Sequence, residues 1–320
     1  MEAILNHVER SFRVDGEEGL GSKPKPELIG PLLTSLPNTL LDAVRMGFLH
    51  SSRAKGRVPS FLKTAADIRF VGLDGEGNGT TWLHFEVATF EAVARELFQQ
   101  QKLWDETPKP HETAFELLGA ALEDIAIRRT DSDRFDSGLL NRVRSYRRVL
   151  DRGVSSITLP DARLSTQPRL DQSVVRAASE LVSITPSDRR VRVVGRLDMM
   201  GASQSVLKLQ VRPGQYVMAR WEGLEPIDSF RELFNREIIV EGAGIFRPSG
   251  GLLRIDADAI ELASPSDESF RQVPVAQPRK DFQRLARLKP HEESAYARLL
   301  GSIPAEESDE EFTAAVEALS

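Results

Sequence analysis

The chain has 320 residues, 40% hydrophobic and 28% charged, a balance that supports packed cores in two domains. It has no cysteine, which excludes disulfides and cysteine-held zinc or iron–sulfur centres. The net charge is −6, but residues 291–320 hold eight acids against one base, so the rest of the chain sums to +1 and the acidity belongs to the C-terminal segment.

The first residues lack a basic stretch followed by an apolar core. No apolar run approaches the roughly 20 residues that a membrane helix needs. The expectation is a cytoplasmic protein that does not engage a membrane. Arginine outnumbers lysine 33 to 9, but the arginines are scattered, as GC-rich coding would scatter them.

Residues 1–185 read as a mixed α/β domain. Residues 2–12 suggest a short helix, followed by a polar stretch rich in glycine and proline. Helices are predicted over 27–33 and 38–49, the second with Leu40, Leu41, Val44 and Phe48 on one face. Residues 68–73 and 81–87 form a hairpin around the glycine-rich 75–79, with Leu83, Phe85 and Val87 facing the core. Helices follow over 90–101, 113–128 and 137–152, then a strand at 154–159 and a helix at 171–184. The helix over 137–152 buries Leu139, Val143, Tyr146 and Leu150 and carries Arg144, Arg147 and Arg148 away from that stripe.

Residues 189–263 read as short strands. Val191, Val193 and Leu197 form the first, bending at Gly195. Leu207, Leu209 and Val211 alternate with Lys208, Gln210 and Arg212 in the second. Pro213-Gly214 turns the chain into the third, 216–221. A helix at 226–234 places Phe230, Leu233 and Phe234 at helical spacing. Ile238 and Val240 open the fourth strand, where Gly242 and Gly244 mark a bulge or bend. Leu253, Ile255, Ala257 and Ala259 then alternate with Arg254, Asp256 and Asp258 in the fifth. Residues 264–320 read as a polar linker and an acidic helical tail. Ser308 and Glu311 form a capping box there, and Phe312, Val316 and Leu319 a narrow apolar stripe. The fold class expected is therefore α+β: a mixed domain, a small five-stranded barrel and an acidic tail.

The order of elements over 191–262 resembles that of an OB-type barrel. The resemblance rests on strand order alone. It implies ligand contacts on strands two and three and on the loops after strands one and four. Those positions hold Lys208, Arg212, Arg220, Phe246 and Arg247, residue types that suit phosphates and base stacking. Against a nucleic-acid reading, residues 189–262 carry 11 basic and 10 acidic residues, so the segment has no basic excess. Residues 298–320 loosely resemble the acidic C-terminal arms of bacterial antitoxins, which wrap a basic partner. That resemblance transfers no functional residue.

The sequence contains no P-loop, HExxH or GxSxG motif, so no cofactor, metal or catalytic nucleophile is assigned. The run Asp131-Ser132-Asp133 begins like a calcium loop but continues with Phe135 and Asp136 where an oxygen ligand and a glycine belong. His84 and Glu86 share a strand face with Trp82, and no other group converges on them by spacing. The first expectation is thus a non-enzymatic binding or adaptor protein. Its barrel and its tail residues Phe312, Val316 and Leu319 would engage a protein partner. The alternatives are single-stranded nucleic-acid binding through the barrel arginines with Arg144, Arg147 and Arg148, and an enzyme with its site near Trp82, His84 and Glu86.

Overall fold

The computed structural model describes residues 7–16, 19–53, 59–76, 79–100, 108–159, 167–201, 205–221 and 227–279. The chain divides into two units, Met1–Arg279 and Lys280–Ser320. The second lies wholly outside the described residues, and with it the expected tail helix and its Phe312, Val316 and Leu319.

The first unit is α+β, with two five-stranded sheets. One sheet is open and antiparallel. Its strands are β1 (His7–Gly16), β2 (Ile68–Glu76), β3 (Thr80–Ala88), β4 (Val154–Thr158) and β5 (Arg169–Asp171), in the order β2-β3-β1-β4-β5. Residues 7–12, within the span 2–12 expected to be helical, are instead the first part of the central strand. Val8 and Phe12 stand at a spacing that also suits a helix. Pairing of His7–Asp15 with β3, continued by pairing of Arg13–Gly16 with β4, decides for the strand. Phe12 and Val14 are then buried at 1% and 0% exposure beside Leu83, Phe85 and Val87, which face the core as expected.

Helices cover one face of this sheet. They are α1 (Pro26–Leu49), α2 (Ser60–Ala65), α3 (Phe90–Gln100), α4 (Ala114–Ala126), α5 (Ser137–Ser145), α6 (Arg147–Leu150) and α7 (Gln172–Ile184). The two helices expected before residue 50 are one, running through Pro31 and Pro37. Each internal proline costs about 3 kcal/mol. Leu28, Leu32, Leu36 and Leu40 continue one buried stripe across both prolines, and each side chain gains about 1.5–3 kcal/mol by burial. The expected stripe Leu139, Val143, Tyr146 and Leu150 is buried, along α5 and α6 rather than a single helix.

The second sheet comprises β6 (Arg189–Gly201), β7 (Val206–Arg212), β8 (Gln215–Trp221), β9 (Glu237–Phe246) and β10 (Leu252–Leu262). They form a closed barrel in the order β10-β8-β7-β6-β9, with β10 and β8 parallel and the other pairs antiparallel. Gly242 permits closure: a Cβ there would lie 2.2 Å from the Asp256 carbonyl oxygen. The register shifts of that pair fall on β10, not on the glycines of β9. The segment between β8 and β9 is a 3-10 helix, Ile227–Leu233, rather than an α-helix. With three residues per turn, Phe230 and Leu233 share a side and Phe234 swings out, to 54% exposure.

The barrel has its own core, but Ile245 and Leu253 belong to the core of the helical body. Residues 265–279, expected as part of a polar linker, pack against the body. After a 3-10 helix, Pro265–Phe270, the Ala276 N–H donates to Gly250 O at 2.8 Å and the Arg279 N–H to Ile184 O at 2.8 Å. Among the described residues, no helix is long and apolar enough to cross a membrane.

Candidate functional site

A cleft of about 500 Å³ opens where the barrel meets the helical body. One wall is the end of α1, with Ala43, Met46, Gly47 and His50. A second is the approach to and first turns of α4, with Pro108, Lys109, Glu112, Glu116, Leu117 and Ala120. The third is the β7–β8 face with Lys208, Tyr216 and Met218, closed below by Arg247, Leu252 and Leu253. The lining mixes apolar side chains with charges of both signs, Asp133 and Arg134 among them. Its acids are largely engaged. Glu116 closes the Thr113 capping box and takes Arg10 at 2.6 Å, and Glu112 accepts the Lys109 N–H at 2.9 Å.

Alternation along β7 sends Leu207 and Leu209 into the barrel and Lys208 outward. On that side Lys208 lines the cleft, where it is only 7% exposed and its ammonium lies 4.5 Å from the Tyr216 ring. This cation–π contact places a positive charge over an aromatic face within the cleft.

A buried junction holds the cleft's walls together. Arg254 of β10 is 4% exposed. It reaches Asp136 at 3.3 Å, Asp256 at 2.7 Å and the His50 carbonyl oxygen at 2.8 Å. Asp136 caps α5 by accepting from the Gly138 and Leu139 N–H groups, and it also accepts from the Ser52 N–H at 3.0 Å. Alternation alone predicts an outward, solvated Arg254. The acid that buries it is 118 residues away in sequence. Burial beside this cluster pushes the Asp188 carboxyl above its ordinary range, against the pull of Arg254.

The structure corrects several nucleic-acid candidates. Phe246 is 1% exposed in the barrel core, so it has no face on which to stack a base. Arg220 is buried too, in register with Val206 and Asp256. Arg247 is neutralised: its guanidinium pairs with Asp133 and donates to the Leu252 carbonyl. The calcium-like run is thereby also accounted for, since Asp133 serves Arg247 and Asp136 serves Arg254. Arg212 is exposed, and Lys208 and Arg247 alone among the nominated cations line the cleft. Arg144, Arg147 and Arg148 are exposed along α5 and α6 and do not line it. Arg144 bonds Asn141 at 2.8 Å and Arg147 pairs with Asp151 at 3.4 Å.

His84 has neighbours that spacing did not reveal. Cross-strand pairing brings Ser11 Oγ within 2.8 Å of Nδ1, and β2 brings Asp74 within 3.1 Å of Nε2. Glu9 lies 3.3 Å away. The chain Ser11–His84–Asp74 resembles a nucleophile, base and orienting acid. It lies on the open side of the sheet, and the Asp74 side chain is 80% exposed. A small crevice beside α4 reaches Ser11 but neither His84 nor Asp74, and adjacent strand N–H groups serve the ladders rather than an oxyanion. Trp82 and Glu86 lie on the same side without joining the chain of bonds.

On α1, Asp42 is buried beside Arg142 at 2.9 Å and Arg45 at 3.6 Å. Burial pushes its carboxyl above the ordinary range, and Arg142 only partly offsets this. A carboxyl raised in the fold favours folding below its unfolded pKa and loses that advantage as pH rises through its folded value. The Asp42→Asn variant should therefore gain stability relative to the native chain between about pH 3 and about pH 7. Denaturant titrations at the two pH values check this, and a difference that does not change with pH contradicts it.

No family model, curated protein or solved structure matches this chain.

Proposed function

We propose that the chain is a non-enzymatic cytoplasmic binding or adaptor protein that receives a segment of a protein partner in the cleft between β7–β8 and the helices α1 and α4. The observation that carries this reading is the cleft's lining, which mixes apolar side chains with charges of both signs. A polypeptide segment offers apolar side chains and charges of both signs. The lining sets Glu112, Glu116 and Asp133 among Lys109, Arg134, Lys208 and Arg247, a mixture that suits a polypeptide of both charges. The order of strands, with a helical segment between the third and fourth, supports reading the barrel as OB-type. In such barrels the second and third strands form the ligand face, and here those strands form one wall of the cleft. The acidic segment 291–320 would add a second contact through Phe312, Val316 and Leu319.

The test fills the cleft with Ala120→Trp and compares capture by the full chain and by the variant, with and without nuclease. The expected result is capture that survives nuclease and weakens at least about tenfold in the variant, equivalent to about 1.4 kcal/mol. Equal capture by both proteins would remove the cleft from the account. Deleting residues 301–320 tests the tail separately.

A second reading, single-stranded nucleic-acid binding, draws support from Tyr216, 40% exposed beside Lys208 on the β7–β8 face. It predicts nuclease-sensitive capture and an oligonucleotide affinity that falls steeply with salt.

A further inference from the structure

β2 is an outer strand of the open sheet and pairs with β3 alone. It holds two large apolar side chains in solvent, Phe70 at 47% and Val71 at 56% exposure. Its register with β3 skips Val71, so Phe70 stands opposite Phe85 and Gly72 opposite His84. Phe70 and Leu73 therefore share the core side with Phe85 and Leu83. Arg69, Gly72 and Asp74 lie on the other side, opposite Glu86, His84 and Trp82. A Cβ placed on Gly72 would meet nothing within 4 Å, so the strand leaves open space beside the exposed Val71.

Edge strands are commonly blunted by a bulge and by charge. Here the charges have opposite signs, and Arg69 and Asp74 stand equally far from the midpoint between Val71 and Gly72. We propose that β2 is a self-association edge, pairing antiparallel with β2 of a second copy of this chain about a two-fold axis between Val71 and Gly72. That register sets Arg69 opposite the second copy's Asp74, Phe70 opposite its Leu73 and Val71 opposite its Gly72, each twice. Arg69 with Asp74 and Phe70 with Leu73 each join residues of the same side of the sheet. Charge complementarity identifies the occupant, because both ion pairs arise from one strand meeting itself. A slip of one residue sets Arg69 against Leu73 or Gly75 and joins opposite faces. An unrelated strand matches Arg69 and Asp74 only if it carries an acid and a base at the same spacing, which a second β2 does by symmetry. Val71 then occupies the space left at Gly72.

The interface is small, so the dimer is weak and concentration-dependent. Sedimentation velocity of the full chain from about 1 to about 100 μM covers the range of such affinities. The expected result is a shift from monomer to dimer across that range. Arg69→Asp and Asp74→Arg should each abolish the shift, and the double exchange should restore it. Gly72→Val should also abolish it, because its side chain takes the space that Val71 needs. Open surroundings leave the fold of that variant undisturbed, so it keeps the test decisive if a charge variant fails to fold by circular dichroism. A native chain that stays monomeric throughout overturns the proposal. So does a dimer that Gly72→Val leaves intact, or one that the charge variants neither break nor restore.

Discussion

Replacing Arg254 with methionine is expected to destabilise the Met1–Arg279 unit by about 3–5 kcal/mol, the cost of removing one partner from a buried ion pair. The side chains of Arg254 and Asp136 are both 5% exposed, so water cannot replace the lost partner. Asp136 keeps its bonds from Ser52, Gly138 and Leu139, but the carboxylate loses its countercharge. The His50 carbonyl loses its donor at the same time. At about 2–4 °C per kcal/mol for a unit of this size, the midpoint of thermal unfolding should fall by roughly 6–20 °C. Adding Asp136→Asn to the methionine variant should recover part of the loss, because the second change removes the stranded charge. A fall below about 1 kcal/mol would mean that water reaches the junction. The effect bears on binding, since this junction ties β10, which closes the cleft below, to His50 at the end of α1, one of its walls. Arg254→Lys is not a conservative test: an ammonium cannot form the fork that serves Asp136, Asp256 and a carbonyl together.

Truncating Phe12 to alanine is expected to cost about 3–5 kcal/mol, the range for a large aromatic side chain lost from a packed core. Phe12 is 1% exposed, with its ring 4.9 Å from that of Phe115 on α4 and 5.8 Å from that of Phe85 on β3. It joins the central strand to the helical layer above it. Urea unfolding of the native chain and the variant measures the loss. If residues 7–12 were instead a peripheral helix, the cost would be below about 1 kcal/mol, as for a surface substitution.

The two results bracket what could be read from the chain before its structure. The barrel strands were legible because Leu207 and Leu209 alternate with polar residues and Pro213-Gly214 supplies the turn. The hairpin at Leu83, Phe85 and Val87 was legible for the same reason. The start of α4 is local as well, since Thr113 and Glu116 close their capping box within one turn. The central strand was not legible, because Val8 and Phe12 fit either period and only the pairing partners, far along the chain, decide between them. Continuity of α1 was hidden by Pro31 and Pro37, whose cost is local while the compensating burial is tertiary. The candidate site was hardest of all. Lys208 reads as a solvated face residue until the cleft forms around it, and Phe246 reads as a loop aromatic until the barrel closes around it. The Arg254–Asp136 pair and the Ser11–His84–Asp74 chain arise from register and packing between distant segments, which periodicity does not encode.

Hydrogen exchange of the full chain, alone and with a captured protein bound, tests the binding account most directly. Protection confined to the end of α1, the first turns of α4 and strands β7 and β8 is the predicted result. Exchange unchanged there, with protection appearing on the outer side of the open sheet around His84 and Trp82, would contradict it.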